Sequence, residues 1–282
     1  MADVITGSTQ LAPTKNDVVA EIVQRELREA VTMLPTIMDM SRLAGPGMKQ
    51  IRFPKLSSFS VVDRASGAAG DATALTAATD NLDLDQNAFV SWIIDSFDEI
   101  QSNIPAQAEF ARRAATAHGR YVDLQILNEL ENAGVATGTI GDITRDIVLD
   151  MREALLANEA DKNMLWLAVG PDQEKELLKI DEFTRADVYG TSNIPNGMIG
   201  RVYGVNIVMN NQLAAQQYFM YERSAVAIAF QQQPRLASDE AIEYGTGARR
   251  FAMDQIFGVQ AMQLGEQGVG ATESALIVKD AN

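Results

Sequence analysis

A long run of small and polar residues between two strand-like segments constrains the fold of this chain more than any other feature. Residues 63–80 read DRASGAAGDATALTAATD and contain almost nothing that can fill a core. The segment before them contains Pro54, which is typical of a sheet edge, and residues 82–94 predict a second, returning strand. Loops longer than about 12 to 15 residues are uncommon inside compact domains. The pattern therefore predicts a projecting hairpin.

A long helix is predicted after this hairpin. From Asn103 onward, apolar residues recur every three or four positions until Ala133 and Gly134. A helix of roughly thirty residues at a rise of about 1.5 Å per residue is about 45 Å long, which is enough to form the backbone of a domain. The predicted inward stripe consists of Ile104, Ala108, Ala111, Ala115, Val122, Ile126 and Leu130.

An amphipathic helix is also predicted over residues 15–34, where Thr14 and Asp17 are spaced like a capping pair and Pro35 closes the segment. Its apolar stripe must pack against its own domain or against a neighbouring molecule. In a protein that assembles, a short terminal arm more often packs against a neighbouring molecule. We therefore expect contacts between subunits here. They involve Val19, Ile22, Val23 and Leu27.

The second half of the chain predicts an α/β module followed by further strands. A helix over residues 142–158 precedes the buried strand MLWLAV, and Pro171 occupies a favoured position in the first turn of the next helix. Past Tyr218, the segments AVAIAF, EAIEY and FAMDQIFGVQAMQ are expected to return to a sheet, with a break at Pro234.

The glycine-rich stretch NGMIGRVYGVNIVMNN resembles a phosphate-binding loop only in composition. Gly197, Gly200 and Gly204 have the spacing G-x-x-G-x-x-x-G, whereas a dinucleotide fingerprint is G-x-G-x-x-G and opens a helix. A valine- and isoleucine-rich strand follows these glycines. Because glycine readily adopts positive φ, we interpret Asn196, Gly197, Gly200 and Gly204 as a turn that leads into this strand.

Composition excludes several classes of chemistry. The chain has no cysteine, so it has no disulfide and no sulfur-ligated metal, and its one histidine, His118, falls inside the long helical pattern and favours a structural role. The formal net charge of −15 opposes a groove for nucleic-acid phosphates. The start MADVITGST does not predict a signal peptide, and no window predicts a membrane span.

Two groups of carboxylates fail as functional sites. Asp83, Asp85 and Asn87 match the first ligands of a calcium loop, but the sixth and twelfth positions are Ala88 and Ile94, where glycine and glutamate are needed. The acidic cluster at residues 95–99 precedes the long helix, where negative charge favours the positive end of the helix dipole. We predict no catalytic residue, no metal and no cofactor.

In the order of its parts, the chain resembles the major capsid proteins of tailed bacteriophages with the Hong Kong 97 fold. The residues that carry the resemblance are FVSWIIDSFDEIQSNIPAQAEFARRAATAHGRYVDLQILNEL (89–130), LWLAVGPDQEKELL (165–178) and NGMIGRVYGVNIVMNN (196–211). The resemblance implies an α+β fold. It also implies the following parts: an N-terminal arm (1–48), an extended hairpin loop (49–94), a peripheral domain with a long spine helix (95–140), an axial α/β domain (141–228) and returning strands of the peripheral domain with the C-terminus (229–282).

The resemblance further implies a structural protein and not an enzyme. Hexamers and pentamers of the chain would form an icosahedral shell around double-stranded DNA, without sequence-specific contact and without a membrane, in a virion assembled in the cytoplasm of a host bacterium. The implied partners are a scaffolding protein, a portal protein and, where the shell carries one, a decoration protein. The hairpin tip would lie over a neighbouring subunit and would contact it through Arg64, Gly67, Gly70 and Asp71.

Two departures from the family pattern limit what the resemblance implies. Some relatives cross-link through a lysine on the hairpin tip, but residues 63–80 contain no lysine, and Lys49 and Lys55 lie near the base, so we do not expect covalent cross-linking. About 48 residues precede the hairpin, fewer than in relatives fused to their scaffold, which predicts a separate scaffolding protein. The alternatives are an encapsulin-type nanocompartment shell and a nucleotide-binding α/β enzyme.

Overall fold

The computed structural model describes most of the chain. The described residues are 32–56, 63, 66, 77–95, 106–136, 142–179, 200–245, 247–262 and 274–279. They include the helices α1 (Ala106–Ala133), α2 (Arg145–Ala157) and α3 (Pro171–Leu177). They also include the strands β1 (Met38–Asp39), β2 (Gln50–Leu56), β3 (Ala77–Asp83), β4 (Gln86–Ile94), β5 (Gly134–Ala136), β6 (Leu165–Val169), β7 (Gly200–Val202), β8 (Val205–Met209), β9 (Tyr218–Glu222), β10 (Val226–Glu240), β11 (Arg249–Ala261) and β12 (Ser274–Lys279).

Three sheets organise these strands. One has the order β1-β10-β11-β4, the second has the order β5-β12-β9-β6-β8-β7, and the third consists of β2 and β3 alone. The fold is therefore mixed α+β. By its internal contacts the chain divides into two compact units.

The first unit includes residues 84–123 and 230–258. Here β4 and β11 pair antiparallel, with Trp92 opposite Phe251 and their rings stacked at a centroid distance of 5.6 Å. Phe110 of α1 packs against the same cluster, and Tyr121 meets Phe257 edge to face at 6.1 Å. The core of this unit is therefore the layer between the first part of α1 and one face of the sheet.

The second unit includes residues 32–83 and 124–229 together with the chain from residue 259 onward. Strand β6 pairs in parallel with β8 and antiparallel with β9, and the buried β9 residues 218–221 show that both faces of this sheet are covered. Helix α2 begins after Thr144, whose side chain accepts a hydrogen bond from the backbone N–H of Ile147. The residues of α2 that face inward are Ile147, Val148, Met151 and Leu155.

The second arm of the hairpin differs from its prediction. Strand β2 pairs with residues 77–83, with Leu56 opposite Ala77 and Gln50 opposite Asp83. Residues 86–94, which were predicted to continue this arm, form β4 and pair with β11 instead. The reason is that small residues such as those of β3 have little strand propensity of their own and take the extended conformation from the partner that supplies their hydrogen bonds.

Two predictions for the late strands were also wrong. Strand β10 continues through Pro234, which lies beyond the short pairing of β1 with Ala227 and Ile228. Proline is tolerated where a strand has no neighbour on one side, because the missing N–H is not needed there. The segment EAIEY was predicted as a strand, but its residues Ile242–Tyr244 form a 3₁₀ turn between β10 and β11.

The predicted long helix is present as α1, although its inward stripe differs in one place. Val122, Ile126 and Leu130 are buried as predicted, whereas Ala115 is exposed and Ala114 is buried in its place. The buried positions step back by four through His118, a polar residue that the apolar pattern passed over. Ile104, the side chains of Ala108 and Ala111, and residues 15–31 of the helix predicted over residues 15–34 lie outside the described part of the chain. The end of that helix prediction was wrong, because Leu34–Thr36 form a 3₁₀ turn.

Candidate interaction surfaces

The hairpin of β2 and β3 has one anchored face and one open face. Ile51 and Leu82 lie opposite each other and are buried. Burial of each side chain stabilises the folded chain by about 1.5–3 kcal/mol relative to leaving it exposed. On the other face, Arg52 and Asn81 oppose each other and are exposed. The root of the hairpin thus has buried side chains on one face, while its Arg52–Asn81 face is available for contact with another molecule.

The glycine turn in the second unit has a defined backbone geometry. Val202 of β7 and Val205 of β8 are paired, and the two residues between them, Tyr203 and Gly204, have φ values of 49° and 83°. Positive φ at both central positions is the geometry of a type I′ turn, whose twist matches that of the flanking strands. Gly200, at the start of β7, has a φ of 110°.

Two arginine side chains lie near this turn. The Arg201 Nε donates a hydrogen bond to the carbonyl oxygen of Gly204 at 3.1 Å. A Cβ atom added at Gly204 would lie 3.9 Å from the Nη2 of Arg152, which extends from α2. Both guanidinium groups therefore reach the same glycine.

Exposed apolar side chains lie on the first unit. Phe89 of β4 is 63% exposed, and Ile242, in the turn between β10 and β11, is 76% exposed. Phe89 lies on a strand at the end of its sheet, where strand edges offer unpaired backbone groups. The sequence pattern did not single out these side chains, because a solitary exposed apolar residue has no signal in periodicity.

The single histidine has the structural environment that the sequence favoured. His118 is buried on α1, and its Nε2 lies 3.3 Å from the carbonyl oxygen of Met253 on β11. Across the described ranges of the chain, no three histidine, aspartate or glutamate side chains cluster as a metal site would require. The described helices include none that is long and apolar enough to span a bilayer.

Most of the residues proposed from the sequence for assembly lie outside the described residues. These are Val19, Ile22, Val23, Leu27, Arg64, Gly67, Gly70, Asp71, Asn196 and Gly197. Gly200 and Gly204 are described: Gly200 is the first residue of β7, and Gly204 lies in the turn that follows it.

Comparison with known protein families identifies the family of this chain. A family model described as phage capsid protein matches residues 37–273. No curated protein matches the chain.

Solved structures of phage particles share the fold at low sequence identity. A structure from Mycobacterium phage Che8 is 18% identical with a TM-score of 0.72, over 94% of this chain and 98% of that one. The mature capsid of bacteriophage PhiM1 is 13% identical with a TM-score of 0.67, over 94% and 90%. The capsid of a native GTA particle is 12% identical with a TM-score of 0.67, over the whole of both chains.

Proposed function

Because the chain belongs to the phage capsid protein family, we propose that it assembles as hexamers and pentamers into an icosahedral shell that encloses the double-stranded DNA of a tailed bacteriophage. Membership in this family confirms the resemblance inferred from the sequence. The chain is a phage capsid protein and a structural component of the virion.

The observation that carries the proposed mode of assembly is the separate two-stranded sheet of β2 and β3. An isolated hairpin is marginally stable in water and normally needs a third strand or a packed face. Among the described side chains of this sheet, Ile51 and Leu82 are buried, and both lie at its root. A neighbouring subunit beneath the extended part of the hairpin supplies the missing contact.

The proposed domains keep the boundaries predicted from the sequence, with one change. Residues 1–48 form the N-terminal arm, residues 95–140 carry the spine helix, and residues 141–228 form the axial domain. The extended loop ends at Asp83, because β4 pairs with β11 and belongs with the returning strands of the peripheral domain. In this proposal the type I′ turn at Gly204 shapes an axial-domain strand.

The proposed partners follow from the shell. A separate scaffolding protein directs assembly in the cytoplasm of the host bacterium, a portal protein occupies one vertex, and a decoration protein binds the outside where the shell carries one. A net charge of −15 keeps the protein from binding DNA tightly, which suits a container for packed DNA. Function is spread over interfaces, each of the order of 1,000 Å² or more, and not concentrated in reactive groups.

Alternative functions receive less support. The family match describes phage capsids and does not favour an encapsulin-type nanocompartment. The glycine turn lies between two antiparallel strands, β7 and β8, and so lacks the helix N-terminus that a nucleotide-binding loop needs.

Electron microscopy of the protein, purified with and without a co-expressed candidate scaffold from the same genome, tests this function. We expect closed icosahedral particles, and nuclease-resistant DNA in particles purified from infected cells. Small oligomers alone under both conditions would refute the assembly proposal. Particles that enclose protein cargo but no DNA would favour the nanocompartment.

A further inference from the structure

We propose that Arg152 and Arg201 form a carboxylate-binding site that receives an acidic side chain from a second copy of this chain. The site lies beside the Tyr203–Gly204 turn in the second unit. The inference rests on the proposed function, because a shell places copies of the chain side by side.

The geometry places one atom of each guanidinium group near residue 204. Arg201 donates its Nε hydrogen to the carbonyl oxygen of Gly204 at 3.1 Å, which holds the guanidinium beside the turn. The Nη2 of Arg152 lies 3.9 Å from the position that a Cβ of residue 204 would occupy. Since residue 204 is glycine, it has no side chain of its own to occupy the space beside the Nη2 of Arg152.

Neither arginine is neutralised within the described part of the chain. The Nε of Arg152 is buried and has no hydrogen-bond partner there. Residues three and four positions away from Arg152 along α2 are all apolar, so α2 offers no carboxylate at the spacing of a helical ion pair. They are Val148, Leu149, Leu155 and Leu156.

The sequence around Arg201 points the same way. Arg201 is the only charged residue between Asp187 and Glu222, in a chain that has 38 acidic residues. Arg201 is exposed, so an incoming carboxylate can contact its guanidinium, and the positive charge of Arg152 near the same turn adds to the attraction.

A carboxylate fits this site better than a nucleic-acid phosphate does. Arginine binds carboxylates with two parallel hydrogen bonds, and a second copy of this chain offers many of them. DNA is disfavoured because the rest of the protein is strongly acidic and repels a polyanion. The site also lies at β7, an end strand of its sheet, where another molecule can approach.

The first test compares the charge-removing variants R152Q and R201Q with R42Q, which removes the same charge at another exposed arginine. Circular dichroism and thermal unfolding first establish whether each variant folds. Because Arg201 is exposed, R201Q should fold and provides a test even if R152Q does not fold. We expect each site variant to raise the subunit concentration needed for shell formation by roughly tenfold, while R42Q assembles like the wild type. Sodium chloride should weaken wild-type assembly more than assembly of R201Q.

The second test identifies the partner directly. The variant R201K places an amine at the site, and a carbodiimide joins amines to carboxylates that are in contact with them. Shells assembled from a mixture of ¹⁵N-labelled and unlabelled subunits then reveal by mass spectrometry whether the link at position 201 joins two copies. We expect such an intermolecular link, and it should persist in shells treated with nuclease.

The outcomes separate this inference from the proposed function. If wild-type protein forms no shells either with or without the co-expressed scaffold, the proposed function fails, and the second-copy partner fails with it. If the wild type forms shells but R152Q and R201Q assemble equally well and position 201 yields no intermolecular link, only the site is refuted. If the variants weaken DNA-filled particles but leave empty shells unchanged, the ligand is a phosphate and the carboxylate assignment is wrong.

Discussion

Shortening the hairpin should separate folding of the subunit from assembly of the shell. Leu56 and Ala77 lie directly opposite each other at the end of the β2–β3 ladder, so residues 57–76 can be replaced by Asn-Gly, the preferred pair for a two-residue type I′ turn. The anchored residues Ile51 and Leu82 are untouched by this change. The variant keeps the root of the hairpin and removes the proposed contact with the neighbour.

The expected effect on stability follows from the length of the loop. Closing a loop costs about (3/2)RT ln n, so reducing twenty residues to two lowers the cost by up to about 2 kcal/mol. We therefore expect the isolated subunit to unfold at the same or a higher urea concentration than the wild type. Shell formation should be lost, because the variant lacks residues 57–76, which we propose contact the neighbouring subunit.

Urea unfolding followed by circular dichroism measures the first effect, and sedimentation with electron microscopy measures the second. A control variant replaces residues 57–76 with a Gly-Ser segment of equal length, which keeps the reach of the loop and removes its side chains. If the shortened variant forms normal shells as efficiently as the wild type, the hairpin tip does not act between subunits. If it fails to fold, the observed register does not support a two-residue closure.

Three further tests, which use four substitutions, address the packing described above. Leu130→Ala should lower the free energy of unfolding by about 2–5 kcal/mol, because Leu130 is fully buried. The control Leu124→Ala, at a position 40% exposed, should change it by less than about 0.5 kcal/mol. Equal effects of the two substitutions in urea unfolding would contradict the assigned buried face of α1. Gly204→Ala should lower the free energy of unfolding by about 1 kcal/mol because of the φ of 83° at this position. Sterics add little, since the new Cβ would lie 3.9 Å from Arg152 without a clash. Urea unfolding without a measurable loss of stability would argue against the type I′ turn. Lys279→Met should lower the free energy of unfolding by up to about 1 kcal/mol, because it removes the 3.2 Å ion pair with Glu131. This loss of stability should shrink as salt is added. A loss that does not depend on salt would indicate that the ion pair is not its cause.

Local signals in the sequence predicted those elements whose boundaries depend on neighbouring residues. Helix α1 ends at Ala133, next to the predicted Gly134, and α3 begins at Pro171 as its fixed φ favours. The strand MLWLAV appears as β6, and the glycine at position 204 lies in a tight turn before β8. Such features were predictable because capping, proline geometry and positive φ act over only a few residues.

Tertiary structure alone decided the pairing of strands and the meeting of distant side chains. Residues 77–83 became the second arm of the hairpin, and residues 86–94 joined β11, since a strand's partner is set by long-range hydrogen bonds that no local pattern encodes. For the same reason the sequence did not reveal that Arg152 and Arg201, almost fifty residues apart, reach one glycine. The order of the parts was sufficient to indicate a capsid protein, whereas the surfaces that such a protein uses arise only when the chain is folded.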